Sequence, residues 1–288
     1  MSPMANQIAY ISSSCVSDVD FSFISAAQKQ MDIYYFLYVN QYSTHSIAIN
    51  LSNLKKCNGV FKAFELYPEL SKFGDIIDDK KFYVVNTTGT RWLHLSARWS
   101  NVCRLWFLVR QRFDAIHITQ FLNFTQWVLL FLHKKMILTG HDPIPHSTDE
   151  SKHIERKRKF NFLLIKNILL LNSNQKEEFV TRYKLHNHNV FASKLGPYDY
   201  LHIYDNHEQK PDDYILFFGR IDKYKGLEYL FEAMKILHKQ DNRIKLIVAG
   251  SGSFWFDIDK YKDCSITIYN RYIPDDELSN LIRNCKFV

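Results

Sequence analysis

The chain has 288 residues, 46% hydrophobic and 23% charged, with a formal net charge of +7; this is a globular composition long enough for about two domains. The positive balance suits nucleic acid, phosphorylated substrates or an anionic membrane face, and does not choose among them. Cys15, Cys57, Cys103, Cys264 and Cys285 are dispersed without a CxxC pair, which excludes a disulfide scaffold or cysteine zinc site and fits a reducing cytosol.

Residues 1–15 lack the basic n-region and apolar core of a secretory signal. Apolar runs such as 127–132 fall far short of the roughly 20 residues that cross a bilayer. The expectation is a cytoplasmic protein, soluble or peripheral at the inner face of the membrane. Strand-like runs follow in order at 8–11, 33–39, 46–49, 82–86, 115–119, 136–139, 168–172 and 189–192. Helical patterns at 95–113, 124–133, 152–166 and 175–185 sit between several of them. That alternation predicts an open parallel α/β sheet. Residues 203–211 are mostly polar and read as a linker. The rhythm then restarts, with strands at 214–218, 244–249 and 266–269 and helices at 227–239, near 254–262 and at 275–285. Lys286, Phe287 and Val288 read as the opening of a further strand. The expected organisation is two Rossmann-like α/β domains, 1–202 and 212–288, the second incomplete.

The connection after the strand at 214–218 carries Gly219, Arg220, Lys225 and Gly226 ahead of an amphipathic helix. Ligands of open α/β sheets bind beyond the carboxyl ends of the strands, and helix N-termini favour anions. Two readings stand: a solvated surface pair, or a site for a diphosphate-like anion. The loop is neither a Walker loop nor a GxGxxG fingerprint. Gly250, Ser251 and Gly252 end the next strand, as a plain turn or as a place where a ligand approaches the backbone. Tyr272 and Ile273 follow the third strand, ahead of a Pro-Asp-Asp-Glu helix start.

In the first half, His141 follows the strand at 136–139. It is read either as part of an Asp-Pro turn or as a group that orients substrate or stabilises charge. His141, Asp142 and His146 fit no tetrahedral metal motif. The run Arg156-Lys157-Arg158-Lys159 reads as a solvated helix face or as a contact with an anionic membrane. Trp92, Trp99, Trp106 and Trp127 are assigned mainly to the core, with a lipid-linked acceptor as their other use.

Taken together, FFGRIDKYKGLEYLFEAMKIL, KLIVAGSG and ITIYNRYIPDDELSNLIRNCKFV resemble the C-terminal domain of retaining GT-B glycosyltransferases, the group that contains bacterial glycosyl group 1 transferases and sucrose synthase. Gly219-Arg220 with Lys225-Gly226 matches that family's GR-x4-KG signature. More loosely, the stretch at 141–143, Asn172-Ser173 and Leu195-Gly196-Pro197-Tyr198 resemble its N-terminal domain. The resemblance implies sugar transfer with retention from a nucleotide-diphosphate donor to a glycan or lipid-linked acceptor in polysaccharide biosynthesis. It implies that Arg220 and Lys225 hold the diphosphate and stabilise the leaving nucleotide, and that Gly219, Gly250, Ser251 and Gly252 line the donor. Tyr272 and Ile273 then lie near the base, and His141 contacts the transferred sugar. No metal or other cofactor is required, because the cations replace it, and no nucleic-acid motif appears. Two departures accompany it. The turn after the first strand is Ser-Ser-Ser-Cys-Val-Ser rather than Gly-rich. The family's Glu-x7-Glu pair falls after the strand that begins at Lys286, so the chain is read as C-terminally truncated. The alternatives are an inactive remnant that only binds a partner, and a nucleotide-sugar epimerase of the same architecture.

Overall fold

The computed structural model describes all residues except 1–5, 45, 47, 90–93, 142, 145–151, 198, 205–211 and 241–243. Most of the linker read at 203–211 thus lies outside the described residues, as do Trp92, Asp142 and His146. The chain divides into two compact units, Met1–Tyr200 and Leu201–Val288.

The first unit runs β1 (Gln7–Ser13), α1 (Ser17–Ala27), β2 (Asp32–Val39), β3 (Gly59–Lys62), α2 (Ala63–Leu66), β4 (Phe82–Asn86), α3 (Leu95–Gln111), β5 (Ala115–Ile118), β6 (Met136–Gly140), α4 (Lys152–Leu164), β7 (Asn167–Leu170), α5 (Lys176–Tyr183) and β8 (Asn189–Ala192). The strands form one sheet in the order β3-β4-β2-β1-β5-β6-β7-β8. All neighbours are parallel except the edge pair β3–β4. The central strands turn one apolar face into a single core, with Ala9, Ile11, Phe36, Ile116, Ile118, Leu138 and Ile168 all buried there; the opposite face is covered too but mixed, with Tyr10, Tyr35, Leu37, His117 and Thr139 buried. The strand order reverses between β1 and β5, which places the switch point of this sheet at the ends of those two strands.

Three local expectations are corrected. Among the described residues of 46–49 none lies in a strand. Ala48 has φ of 62°, and the turn is closed by Ser46 N–H to Ile49 O at 2.8 Å and Leu51 N–H to Thr44 O at 2.8 Å; the apolar Ile49 and Leu51 are buried from a loop. The segment Phe124–Lys135 is a 3-10 helix, opened by a capping box in which Asn123 Oδ1 accepts from Thr125 N–H and Gln126 Oε1 accepts from Asn123 N–H. The short helix near 254–262 is a 3-10 turn at Ile258–Tyr261.

The second unit contains β9 (Tyr214–Phe218), α6 (Leu227–Lys239), β10 (Lys245–Gly250), β11 (Ile266–Asn270) and α7 (Asp275–Asn284). Its sheet is parallel, in the order β11-β10-β9. Phe287 pairs in parallel with Ile215, with Lys286 N–H to Tyr214 O at 2.9 Å and Leu216 N–H to Phe287 O at 3.0 Å. Lys286 and Phe287 therefore pair as a strand does. β9 alternates between two cores, as the period of a strand dictates. Ile215 faces Leu227, Phe231 and Met234 of α6; Tyr214 and Leu216 face Ile273, Leu278 and Leu281. The buried stripe of α6 recurs at intervals of four and three, one face of a helix.

Candidate functional site

Three loops leave the carboxyl edge of the second sheet, and their backbones are tied together. Gly219 N–H donates to Ala249 O at 3.0 Å, and Ile221 N–H donates to Ser251 O at 3.0 Å. Ile221 and Gly252 form a parallel bridge. The Asn270 side chain grips Gly252 from the other side, accepting its N–H at 3.1 Å and donating to its carbonyl at 3.0 Å. Arg271 N–H reaches Gly250 O at 3.0 Å.

This lacing gives Gly250 and Gly252 a cause that the sequence did not reveal. A Cβ on Gly250 would meet Gly219 O at 1.8 Å, and one on Gly252 would meet Ile221 O at 2.1 Å. The side on which these residues must lack a side chain is occupied by the chain's own backbone. Gly219 differs. It holds φ of 119°, a conformation that favours glycine, and the space where its Cβ would stand is open.

Arg220 follows Gly219 and is exposed. Among the described residues its guanidinium has no hydrogen-bond or ion-pair partner. Lys223, Tyr224 and Lys225 are exposed in a 3-10 turn, with Lys225 Nζ over the Tyr224 ring at 5.1 Å. Gly226, at φ of 71°, turns the chain into α6 with no side-chain cap. The first turn of α6, which itself carries Glu228, thus opens beside three cations and Asp222, and a helix N-terminus adds positive potential.

Arg271 is a cation the sequence did not single out, and it is engaged. It forms a two-pronged pair with Glu277 at 2.9 and 2.6 Å and donates to Tyr272 O at 3.1 Å. Tyr272 is half-exposed; partial burial, then Asp275 and Asp276, push its phenol up to about 12, so it keeps its proton at neutral pH. Ile273 is buried in the α7-side core. It positions the loop and offers little surface to a ligand.

His141 lies in the first unit, just past β6, and is half-buried. Its neighbour is His117 of β5, which is buried and bonded through Nε2 to Thr139 Oγ1 at 2.5 Å. Burial, and then the proximity of His141, hold His117 down at about 4, so it is neutral. At the switch point, Thr119 donates to Ser12 Oγ at 2.6 Å, and Ser46 and Ser17 both donate to Ser14 O, at 2.6 and 2.8 Å. Beneath this turn Asp20 is fully buried and accepts from Tyr10 at 2.9 Å and Tyr35 at 3.1 Å. Burial raises its carboxyl to about 7.

The basic run on α4 is not a uniform solvated face. Arg158 is buried and donates to Pro143 O at 3.1 Å and Tyr183 Oη at 3.0 Å. Trp99, Trp106 and Trp127 are not core residues either; all three are more than half exposed. Among the described residues no cluster of three His, Cys, Asp or Glu side chains is placed to hold a metal, and no helix is long and apolar enough to cross a membrane.

No curated protein matches the sequence. The fold is similar to several solved structures. A glycosyltransferase from Rickettsia africae is 15% identical with a TM-score of 0.54, over 98% of this chain and 71% of that one. Sucrose-phosphate synthase from Thermosynechococcus elongatus is 13% identical with a TM-score of 0.53, over 97% and 74%. The UDP-GlcNAc 2-epimerase of Neisseria meningitidis, solved with UDP-GlcNAc bound, is 9% identical with a TM-score of 0.57, over 96% and 75%. The chain therefore has the Rossmann-like α/β fold of GT-B proteins, and residues 202–288 match the family described as glycosyl transferases group 1.

Proposed function

We propose that the protein transfers a sugar from a nucleoside-diphosphate donor to a glycan or lipid-linked acceptor, with retention at the anomeric carbon, in polysaccharide assembly. The observation that carries the reading is Arg220. It is an exposed arginine with no partner among the described residues, beside the open face of Gly219, at the carboxyl edge of a parallel sheet. The family match covers this same unit.

In this reading Arg220 and Lys225 hold the donor diphosphate and stabilise the charge that develops as the nucleotide leaves. An arginine suits this role because its planar fork matches phosphate oxygens. The laced backbone of 219–221 and 250–252 is preorganised, so little ordering is needed when the donor arrives. Tyr272, as a protonated phenol, lies by the base, and His141 contacts the transferred sugar.

The test is a titration of the full chain with UDP-, GDP- and ADP-sugars, followed calorimetrically. One donor class is expected to bind. Arg220→Ala should weaken it about tenfold to a hundredfold, the worth of one charge-assisted contact of about 1.5–3 kcal/mol. Lys225→Ala should weaken it less, because an ammonium makes a single-point contact. Equal affinity in both variants would remove the diphosphate site. Conversion of the donor sugar without any acceptor would mark the protein as an epimerase instead.

A further inference from the structure

Helix α3 buries a polar stretch between Ala97 and Leu108 and leaves an apolar stripe outside. Its buried positions include Ser100, Asn101 and Arg104. Ser100 Oγ donates to Asn86 O at 2.7 Å, and Arg104 donates to Asn101 Oδ1 at 2.6 Å. Arg104 is fully buried without a carboxylate, and its Nε and Nη1 have no hydrogen-bond partner. Meanwhile Leu95, Trp99, Val102, Trp106 and Val109 are exposed, at successive spacings of four, three, four and three. These five make one apolar stripe about 21 Å long at 1.5 Å per residue. The other exposed positions of the helix are Arg98, Arg110 and Gln111. The 3-10 helix Phe124–Lys135, which packs against α3, exposes Trp127 and Phe131 and ends in His133, Lys134 and Lys135.

We propose that α3, with the neighbouring 3-10 segment, docks the protein on an anionic lipid surface. Water is a poor medium for a face that is 59% exposed at Trp99, 60% at Trp106 and 75% at Phe131, and patches of this kind mark interaction sites. The charge pattern selects the partner. Residues 95–135 expose five Arg and Lys, namely Arg98, Arg110, Arg112, Lys134 and Lys135, and one acid, Asp114, and Asp114 accepts the Gln7 N–H at 2.8 Å. Tryptophan at the level of the headgroups and arginine reaching toward phosphate are what an in-plane helix uses. A second copy of the chain fits poorly. A two-fold contact along the stripe would bring a second set of arginines to a face whose exposed positions on α3 include no acid. The inference stands on the first unit alone and does not depend on the sugar-transfer reading.

The experiment is flotation of the full chain with vesicles of phosphatidylcholine alone and of phosphatidylcholine mixed with phosphatidylglycerol. The wild-type chain is expected to float with the anionic vesicles and to remain behind with the neutral ones. Its tryptophan emission should shift to the blue on binding, and added salt should release it. Trp99→Ser with Trp106→Ser should cut the bound fraction about tenfold or more, as should Arg98→Glu with Arg110→Glu, at roughly fivefold per basic residue. Circular dichroism should show both variants folded, since all four positions are exposed. Arg156→Glu with Lys159→Glu, on α4, should leave binding unchanged. Equal binding to both vesicles, binding retained by the α3 variants, or a comparable loss in the α4 variant would overturn the proposal. So would a wild-type dimer in solution that the tryptophan variant splits.

Discussion

After β9 the chain turns through Gly219, whose Cβ side is open, and presents Arg220 without a partner among the described residues. After β1 it turns through serines whose polar groups are bonded inward, to Thr119, Ser17 and Ser46, above a buried Asp20. Both turns leave parallel sheets at comparable places, yet one holds its polar groups outward and the other consumes them internally. Strand order fixes where a ligand site is permitted; the residues at the turn decide whether one is left available.

The sharpest way to break this contrast is Gly250→Ala. Its Cβ would stand 1.8 Å from Gly219 O, so the lacing of the loops has to open. Chemical denaturation should show a loss of about 4 kcal/mol or more, at the large end for single substitutions. Gly219→Ala, with nothing near its Cβ, should cost only the backbone strain of about 1–3 kcal/mol. Equal losses would mean that the lacing does not hold the loops.

A smaller effect is expected on the other side of the comparison. Asp20→Ala leaves the hydroxyls of Tyr10 and Tyr35 without their acceptor, at about 2–4 kcal/mol. The pH dependence has a definite sign. The folded carboxyl is raised from 3.8 to about 7, so the folded state holds the proton more tightly than the unfolded one. The Asp20 contribution to stability should therefore fall as pH rises from about 4 to about 7 and then level off, while His117, held down at about 4, contributes the opposite slope over much of that window. Asp20→Asn should remove the Asp20 share, read as the difference from wild type in denaturation midpoints measured across the window. The smallest effect belongs to Arg271→Ala. Its pair with Glu277 is at the surface, and exposed pairs contribute little, so the unfolding midpoint should barely move. A large drop would show that the pair, and not the Asn270 clasp, holds the third loop.

Much of the fold was legible because burial wrote it plainly. The bounds of β4, β8, β9 and α6 follow directly from short apolar runs or a clean helical stripe flanked by polar residues. Helix α1 was not legible. It buries Ser17, Asp18 and Asp20 beside Phe21 and Ile24, so no apolar period marks it. Strand β3, Gly-Val-Phe-Lys, is a four-residue antiparallel edge and too short to show alternation. Helix α3 was legible as a helix but not as an orientation. Periodicity shows that a helix has two faces, and only the sheet's polar partners decide which one turns inward. In the second unit the glycines stood out in the sequence, but their reason did not, because Gly219 and Gly250 are neighbours only after β9 and β10 pair.

The Thr119–Ser12 bond joins residues 107 positions apart, and β1 lies between β2 and β5 in the sheet. During synthesis, the central strand of the first unit therefore keeps one bare edge until β5 has left the ribosome. Throughout that interval an apolar strand with unpaired backbone groups is open to wrong partners. The demand this places on chaperones arises from the order of the strands, whatever the final stability of the fold.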